Sequence, residues 1–257
     1  MLLQMPVDLQ IPRFTEPYRN SVNLILAADD GMYDGNDRHY LSCGASALNV
    51  ILSTLRLADA PGPAAILDFG AGAGRVTRWI RAAFPKAAID ACDLRASDME
   101  FCARTFGART WISGTDIDSL EAPGTYDLIW VGSVITHLNG DKMVRLLDKL
   151  VSWTRPGGAI VMSFHGRYAL VRQDSGEFRY NIDDQTWESI KSEYARSGYG
   201  YADYSGQQGY GISITKPSWM AATVENRELR LISLSERAWD DHHDILAVQA
   251  RFAAPLI

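Results

Sequence analysis

Three glycines at alternate positions, Gly70, Gly72 and Gly74, follow an apolar run that carries Asp68 and ends at Phe69. Glycine permits positive φ and close approach of a ligand to the main chain, and free N–H groups at the start of a following helix attract an anionic group. A second apolar run ends at Asp93, about 20 residues beyond the glycines, where a carboxylate can accept hydrogen bonds from a ribose diol. The combination describes a crevice for a small nucleoside derivative, although a glycine-rich turn by itself also serves purely structural needs. The turn reads GxGxG rather than the GxGxxG of dinucleotide sites. A carboxylate at Asp68, two residues before the first glycine, repels a diphosphate and tolerates an ammonium or sulfonium cation.

Set in order over about residues 64–166, several segments resemble those of class I S-adenosylmethionine-dependent methyltransferases. Ile66 to Gly74 is similar to the first motif of that family, and Asp93 with Leu94 to the acidic end of its second strand. Gly114-Thr115-Asp116-Ile117 resembles the acid-containing loop after strand three, residues 126–138 (YDLIWVGSVITHL) the fourth-strand motif, and Arg155-Pro156-Gly157-Gly158-Ala159 the turn before strand five. Residues 37–58 resemble the cap helix found ahead of the first motif. The resemblance implies S-adenosyl-L-methionine as cofactor and S-adenosyl-L-homocysteine as product. It implies that Gly70, Ala71, Gly72 and Gly74 form the turn around the methionine part, bordered by Asp68, and that Asp93 holds both ribose hydroxyls. Leu94 would pack on adenine, Asp116 and Ile117 would meet the adenine amino group and ring face, and Gly132 and Ser133 would face the sulfonium end. It also implies an α/β fold: a doubly wound, mostly parallel seven-stranded sheet with an antiparallel C-terminal hairpin strand and helices on both faces.

Methyl transfer is an in-line displacement in which alignment does most of the work, and a base is optional. For a hydroxyl acceptor a positioned histidine adds about 10² to 10⁴ in rate near neutral pH. Two histidines follow strands at the end where open α/β sheets bind ligands: His137 after strand four and His165 after strand five, with His165 the preferred base. Each also suits a purely structural role. His242 and His243, in the run DDHHD, read as a polar hairpin turn rather than a metal site with Asp240, Asp241 and Asp244, because adjacent side chains on a strand point oppositely. No metal is expected, and His39 is uninformative. Aromatic residues crowd the variable segment, where Tyr168 and Tyr210 are the candidate substrate contacts, and Gly206, Gly209 and Gly211 suggest a mobile closing loop.

The elements that must hold these residues follow from periodicity. Residues 1–36 read as a proline-punctuated surface arm, and Leu48, Ile51, Leu52 and Leu55 mark one face of a helix over about 40–58. Short apolar runs at 64–69, 88–92, 110–113, 126–132 and 159–164 then alternate with helical periods, as in βαβ units of a parallel sheet. Ser97 with Glu100 reads as a capping box. Residues 229–234 and 245–252 read as strands of a hairpin around the turn 235–244. Four units result: arm and cap helix (1–60), cofactor-binding βαβ core (61–166), variable substrate or lid insertion (167–219), and C-terminal β-hairpin (220–257).

Composition narrows the classes that remain. With 257 residues, 47% hydrophobic and 22% charged, the chain sits near the globular average, which excludes wholesale disorder and fibrous architecture. A net charge of −6 without a long basic run disfavours nucleic acid, so a small-molecule acceptor is expected, such as a sugar or an aromatic metabolite. Cys43, Cys92 and Cys102 are odd in number and lack CxxC spacing, which fits a reducing compartment. No apolar window suits a membrane helix and residues 1–12 do not resemble a signal peptide, so cytoplasmic location is the expectation. The sequence leaves the oligomeric state open. The function expected is methyl transfer to a small molecule, oxygen favoured weakly over nitrogen. A catalytically silent S-adenosylmethionine-binding module and a dinucleotide-dependent Rossmann oxidoreductase are the alternatives.

Overall fold

The computed structural model describes residues 1–250 except Asp8, Gln10 and Glu228. A helix, α1 (Asp37–Leu57), precedes five strands: β1 (Ala65–Phe69), β2 (Ala88–Asp93), β3 (Arg109–Ile112), β4 (Tyr126–Val131) and β5 (Thr154–Phe164). Between them run α2 (Thr77–Ala83), α3 (Ala96–Phe106) and α4 (Gly140–Ser152). After β5 come α5 (Arg167–Ser175), α6 (Asp184–Ser197), a hairpin of β6 (Tyr199–Tyr204) and β7 (Gln207–Thr215), α7 (Pro217–Glu225), and the final pair β8 (Arg230–Trp239) and β9 (His243–Gln249).

Seven strands form one sheet in the order β3-β2-β1-β4-β5-β9-β8. The first five are parallel, and β9 runs antiparallel to both β5 and β8. Alternation along each central strand sends neighbours to opposite faces. Ile66, Leu128 and Val161 pack with Ile51 and Leu55 of α1 and Met99 and Cys102 of α3. Leu67, Ile129 and Met162 pack with Met143, Leu147 and Leu150 of α4 and Met220 of α7. Burial on both faces explains why these strands read as nearly continuous apolar runs. The strand order reverses between β1 and β4, where connections leave in opposite directions and open a crevice at the strands' C-terminal ends.

Four expectations are revised. The N-terminal arm is not a loose surface segment: Leu3, Leu9, Val22 and Leu26 are buried against Tyr40, Leu41, Leu48 and Trp79. The arm is held by the buried Arg78, whose guanidinium donates to the carbonyls of Asn23 and Ile25 at 2.8 and 3.0 Å. The capping box at Ser97 does not form, because α3 starts two residues earlier than a Ser97 cap would have it, with Arg95 as its cap, and the Ser97 hydroxyl turns to Asp29. The glycines expected to make a mobile loop instead lie in the β6–β7 hairpin, where Gly211 passes so close to the Ala202 carbonyl that a Cβ would stand 1.9 Å from its oxygen. Finally, β8 continues to Trp239, which shortens the expected turn, and residues 251 and 252 lie outside the described residues. No described helix is long and apolar enough to cross a membrane.

Candidate cofactor and acceptor site

The crevice is a cavity of about 490 Å³ between the glycine turn, the end of β2, the loop after β4 and the β6–β7 hairpin. Its wall includes Asp68, Gly70, Ala71, Gly72, Asp93, Leu94, Ile117, Gly132, Ser133, His137 and Tyr210. The sheet edge sets the turn: the N–H groups of Gly70 and Ala71 both donate to the Cys92 carbonyl, at 2.9 and 3.0 Å. The Gly72 N–H donates to Asp93 Oδ2 at 2.8 Å, and the Leu94 N–H to Asp93 Oδ1 at 2.7 Å. Three amides that a phosphate would need are therefore engaged inside the protein, and a carboxylate stands where the phosphate's charge would be. Leu94, 53% exposed, supplies an apolar wall beside it.

Asp68 is almost fully buried and accepts a hydrogen bond from the Thr77 hydroxyl at 2.6 Å. Burial pushes its carboxyl up to about 7, the Thr77 hydrogen bond opposes that shift, and the nearby Asp93 adds to it. The native state thus holds a proton that the unfolded chain releases near 3.8. The resulting stability is fully present below the unfolded value and is lost as pH rises through about 7. Asp68→Asn never carries the charge, so its thermal stability relative to the parent protein rises from pH 5 to pH 8. A difference in melting temperature that stays constant over this range contradicts the assignment.

His137 enters the cavity from a short 3₁₀ turn, Ile135–His137, that follows β4. Its Nδ1 donates to the Gly211 carbonyl at 2.9 Å, which leaves the lone pair on Nε2. The ring stacks on Tyr210 with centroids 4.7 Å apart, and burial lowers its pKa, so the neutral base is the resting form. Ser133 holds φ at +60°, its N–H donating to Ser163 Oγ at 2.7 Å. This left-handed conformation in a non-glycine residue marks the loop after β4 as overdetermined by its surroundings.

Other expected site residues lie elsewhere. His165 is 5% exposed and is absent from the cavity wall, its ring packed against Tyr180, His242 and His243. The cause is local: the His165 carbonyl accepts from the Thr215 N–H, which ties the end of β5 beneath the β6–β7 hairpin. Tyr168 lies beneath Arg237, whose guanidinium carbon is 3.8 Å from its ring centroid, and is likewise absent from the wall. Asp116 caps the turn Ile117–Ser119 by accepting from the Asp118 N–H, leaving Thr115 and Ile117 to face the cavity. Gly74 faces Phe106 and Cys102 on α3. Asp30, Arg75, Lys142 and Trp239, which are not among the site residues expected from the sequence, also stand on the wall. Arg75 directly follows the last glycine and was open to recognition; Asp30 and Trp239 arrive from distant segments and left no local signal.

Residues 67–160 match a family model described as a methyltransferase domain. This stretch of the chain, from the middle of β1 into β5, thus carries a methyltransferase domain. A malonyl-[acyl-carrier protein] O-methyltransferase from Halalkalibacterium halodurans is 34% identical over 142 residues, covering 52% of this chain and 51% of that protein. The chain thus spans about half the length of this curated relative. Among solved structures, a S-adenosylmethionine-dependent methyltransferase from Clostridium acetobutylicum superposes with a TM-score of 0.56 at 15% identity, covering 80% of this chain and 92% of the other. The N-methyltransferase NodS from Bradyrhizobium japonicum, in complex with S-adenosyl-L-homocysteine, gives 0.51 at 15% identity, covering 93% and 99%. These likenesses establish the shared fold. The methyltransferase domain's cavity also fits its cofactor: the volume lies in the usual range for small-molecule sites, and the wall offers the Asp93 carboxylate, an apolar face at Leu94 and engaged turn amides.

Proposed function

We propose that the chain moves the methyl group of S-adenosylmethionine to a small-molecule acceptor, with an oxygen nucleophile favoured over nitrogen. When bound, the cofactor supplies a methyl carbon already activated by positive sulfur. The chain's own residues then bind and orient. Asp93 would hold the ribose hydroxyls, Leu94 and Ile117 the adenine faces, and Gly70, Ala71 and Gly72 the methionine part, with Asp68 at its border. Gly132 and Ser133 would face the sulfonium, and Asp116 would act through the loop it caps.

The observation that carries the acceptor side is His137, with Nδ1 fixed on the Gly211 carbonyl, the Nε2 lone pair free for a proton, and Tyr210 stacked on the ring. Such a fixed tautomer suits removal of a proton from a hydroxyl, and the similarity to a protein named as an O-methyltransferase supports an oxygen acceptor. Tyr210, 42% exposed, would close over the acceptor's flat face. A nucleic-acid acceptor gains no support from a chain of net charge −6.

The test is a screen of hydroxylated, carboxylated and aromatic acceptors, free and carrier-protein-linked, that follows S-adenosylhomocysteine release. With an active acceptor, His137→Ala lowers turnover by about a hundredfold or more while cofactor affinity is retained. The acid limb of the pH–rate profile lies below the ordinary histidine range, as the depressed pKa requires. Unchanged turnover in His137→Ala removes it as the base.

A further inference from the structure

Three imidazoles outside the cavity converge behind its Trp239 wall. His165 directly follows β5, and His242 and His243 follow Trp239 at the turn into β9, the antiparallel partner of β5. One ligand nitrogen from each can be chosen so that all three lie within 4.8 Å of one another. The ring centroids of His165 and His243 are 4.9 Å apart and nearly parallel, and those of His242 and His243 are 4.5 Å apart. The strand-like alternation expected of adjacent side chains does not apply here, because His242 lies in the turn, where Asp240 and Asp241 hold φ at +54° and +52°, and only His243 belongs to β9. The neighbouring aspartates are not part of the group.

The nitrogens are prepared unequally. The Nδ1 atoms of His165 and His243 are buried and have no hydrogen-bond partner among the described residues. The two rings are held by packing, His243 stacked on Trp239 with centroids 4.8 Å apart and His165 against Tyr180 at 5.0 Å. An unsatisfied buried polar atom is costly, and two within one cluster of three rings call for a shared partner.

We propose that His165, His242 and His243 bind one divalent transition metal ion of the zinc class, separate from the methyl-transfer cavity. Three neutral nitrogen donors favour zinc, cobalt, nickel or copper over magnesium or calcium, and a tripod of imidazoles leaves a fourth position for water. Tetrahedral zinc at about 2.05 Å from nitrogen places its ligand atoms roughly 3.3 Å apart, so the rings close in by an ångström or so through side-chain rotation.

His242 sets the condition for binding. Its Nδ1 accepts from Arg172 at 2.7 Å, and its Nε2 lies 3.2 Å from the Tyr180 hydroxyl. Ligation through Nδ1 takes the lone pair that Arg172 uses. Ligation through Nε2 moves the ring hydrogen to Nδ1, where it faces a group that can only donate. Either way the ion displaces Arg172, which retains Glu177 as its ion-pair partner at 2.9 Å. Metal and guanidinium therefore compete for one imidazole, and occupancy couples α5 to the hairpin turn that carries Trp239.

The test uses the full chain without an affinity tag, stripped with a chelator and then titrated with Co²⁺. One Co²⁺ per chain is expected, giving a visible d–d absorption band of low-symmetry nitrogen coordination that Zn²⁺ abolishes. His165→Gln and His243→Gln each weaken binding by more than about tenfold. Arg172→Gln tightens it. Absence of the band in the parent protein overturns the site whatever the variants do. Retention of full affinity in both histidine variants overturns it as well, and unchanged affinity in Arg172→Gln removes His242 from the ligand set.

Discussion

Asp93→Ala weakens S-adenosylmethionine binding at least tenfold, equivalent to about 1.4 kcal/mol or more. Hydrogen bonds to a charged acceptor are worth roughly 1.5 to 3 kcal/mol each, and the ribose offers two. The same carboxylate accepts the Gly72 and Leu94 N–H groups, so its loss also releases the turn that the proposal sets against the cofactor. Asp93→Asn keeps an acceptor oxygen but not the charge, and its affinity falls between the two. Isothermal calorimetry at fixed pH reads the effect directly, with circular dichroism to show that the variant is folded. Equal affinity in Asp93→Ala and the parent protein removes this residue from the cofactor site.

Gly74→Ala is expected to destabilise the fold by about 2 to 5 kcal/mol, the sum of backbone strain and overpacking. Gly74 holds φ at +80°, and an added Cβ would stand 2.4 Å from a Phe106 ring carbon and 3.1 Å from Cys102 Sγ. Both neighbours are buried on α3. Gly72→Ala separates the two roles of the turn. Its φ is +52° but a Cβ there meets no protein atom within 4 Å and projects toward the cavity, so this variant loses cofactor affinity at a smaller cost in stability. Urea unfolding of both variants tests the contrast; if Gly74→Ala unfolds at the parent's midpoint, the close approach of α3 to the turn is not as described.

The parallel core is legible because its strands, buried on both faces, leave long apolar runs, and the turn because glycine spacing reports the positive φ that Gly70 and Gly72 adopt beside Asp93. Where the chain depends on distant partners, spacing was silent. Nothing local in the proline-broken arm reports that Leu3 and Leu26 are buried or that Arg78, some fifty residues beyond Asn23 and Ile25, holds it. The β6–β7 hairpin was hidden because its strands mix tyrosine with glycine and because its register depends on the Gly211 contact with Ala202. That hairpin places the two histidines differently, which their spacing in the sequence does not report. Its Gly211 carbonyl aligns His137 at the cavity, whereas its far end, through Thr215, buries His165 out of reach. Imidazoles of His165, His242 and His243 meet only because β9 pairs antiparallel with β5, a relation between residues nearly eighty positions apart.

Direct titration of the unmodified chain with S-adenosylmethionine and, separately, with a nicotinamide dinucleotide tests the central claim that a carboxylate-lined turn with engaged amides selects a sulfonium nucleoside over a diphosphate. Saturable one-to-one binding of S-adenosylmethionine with no heat from the dinucleotide is the result expected. Binding of the dinucleotide with none of S-adenosylmethionine would contradict it.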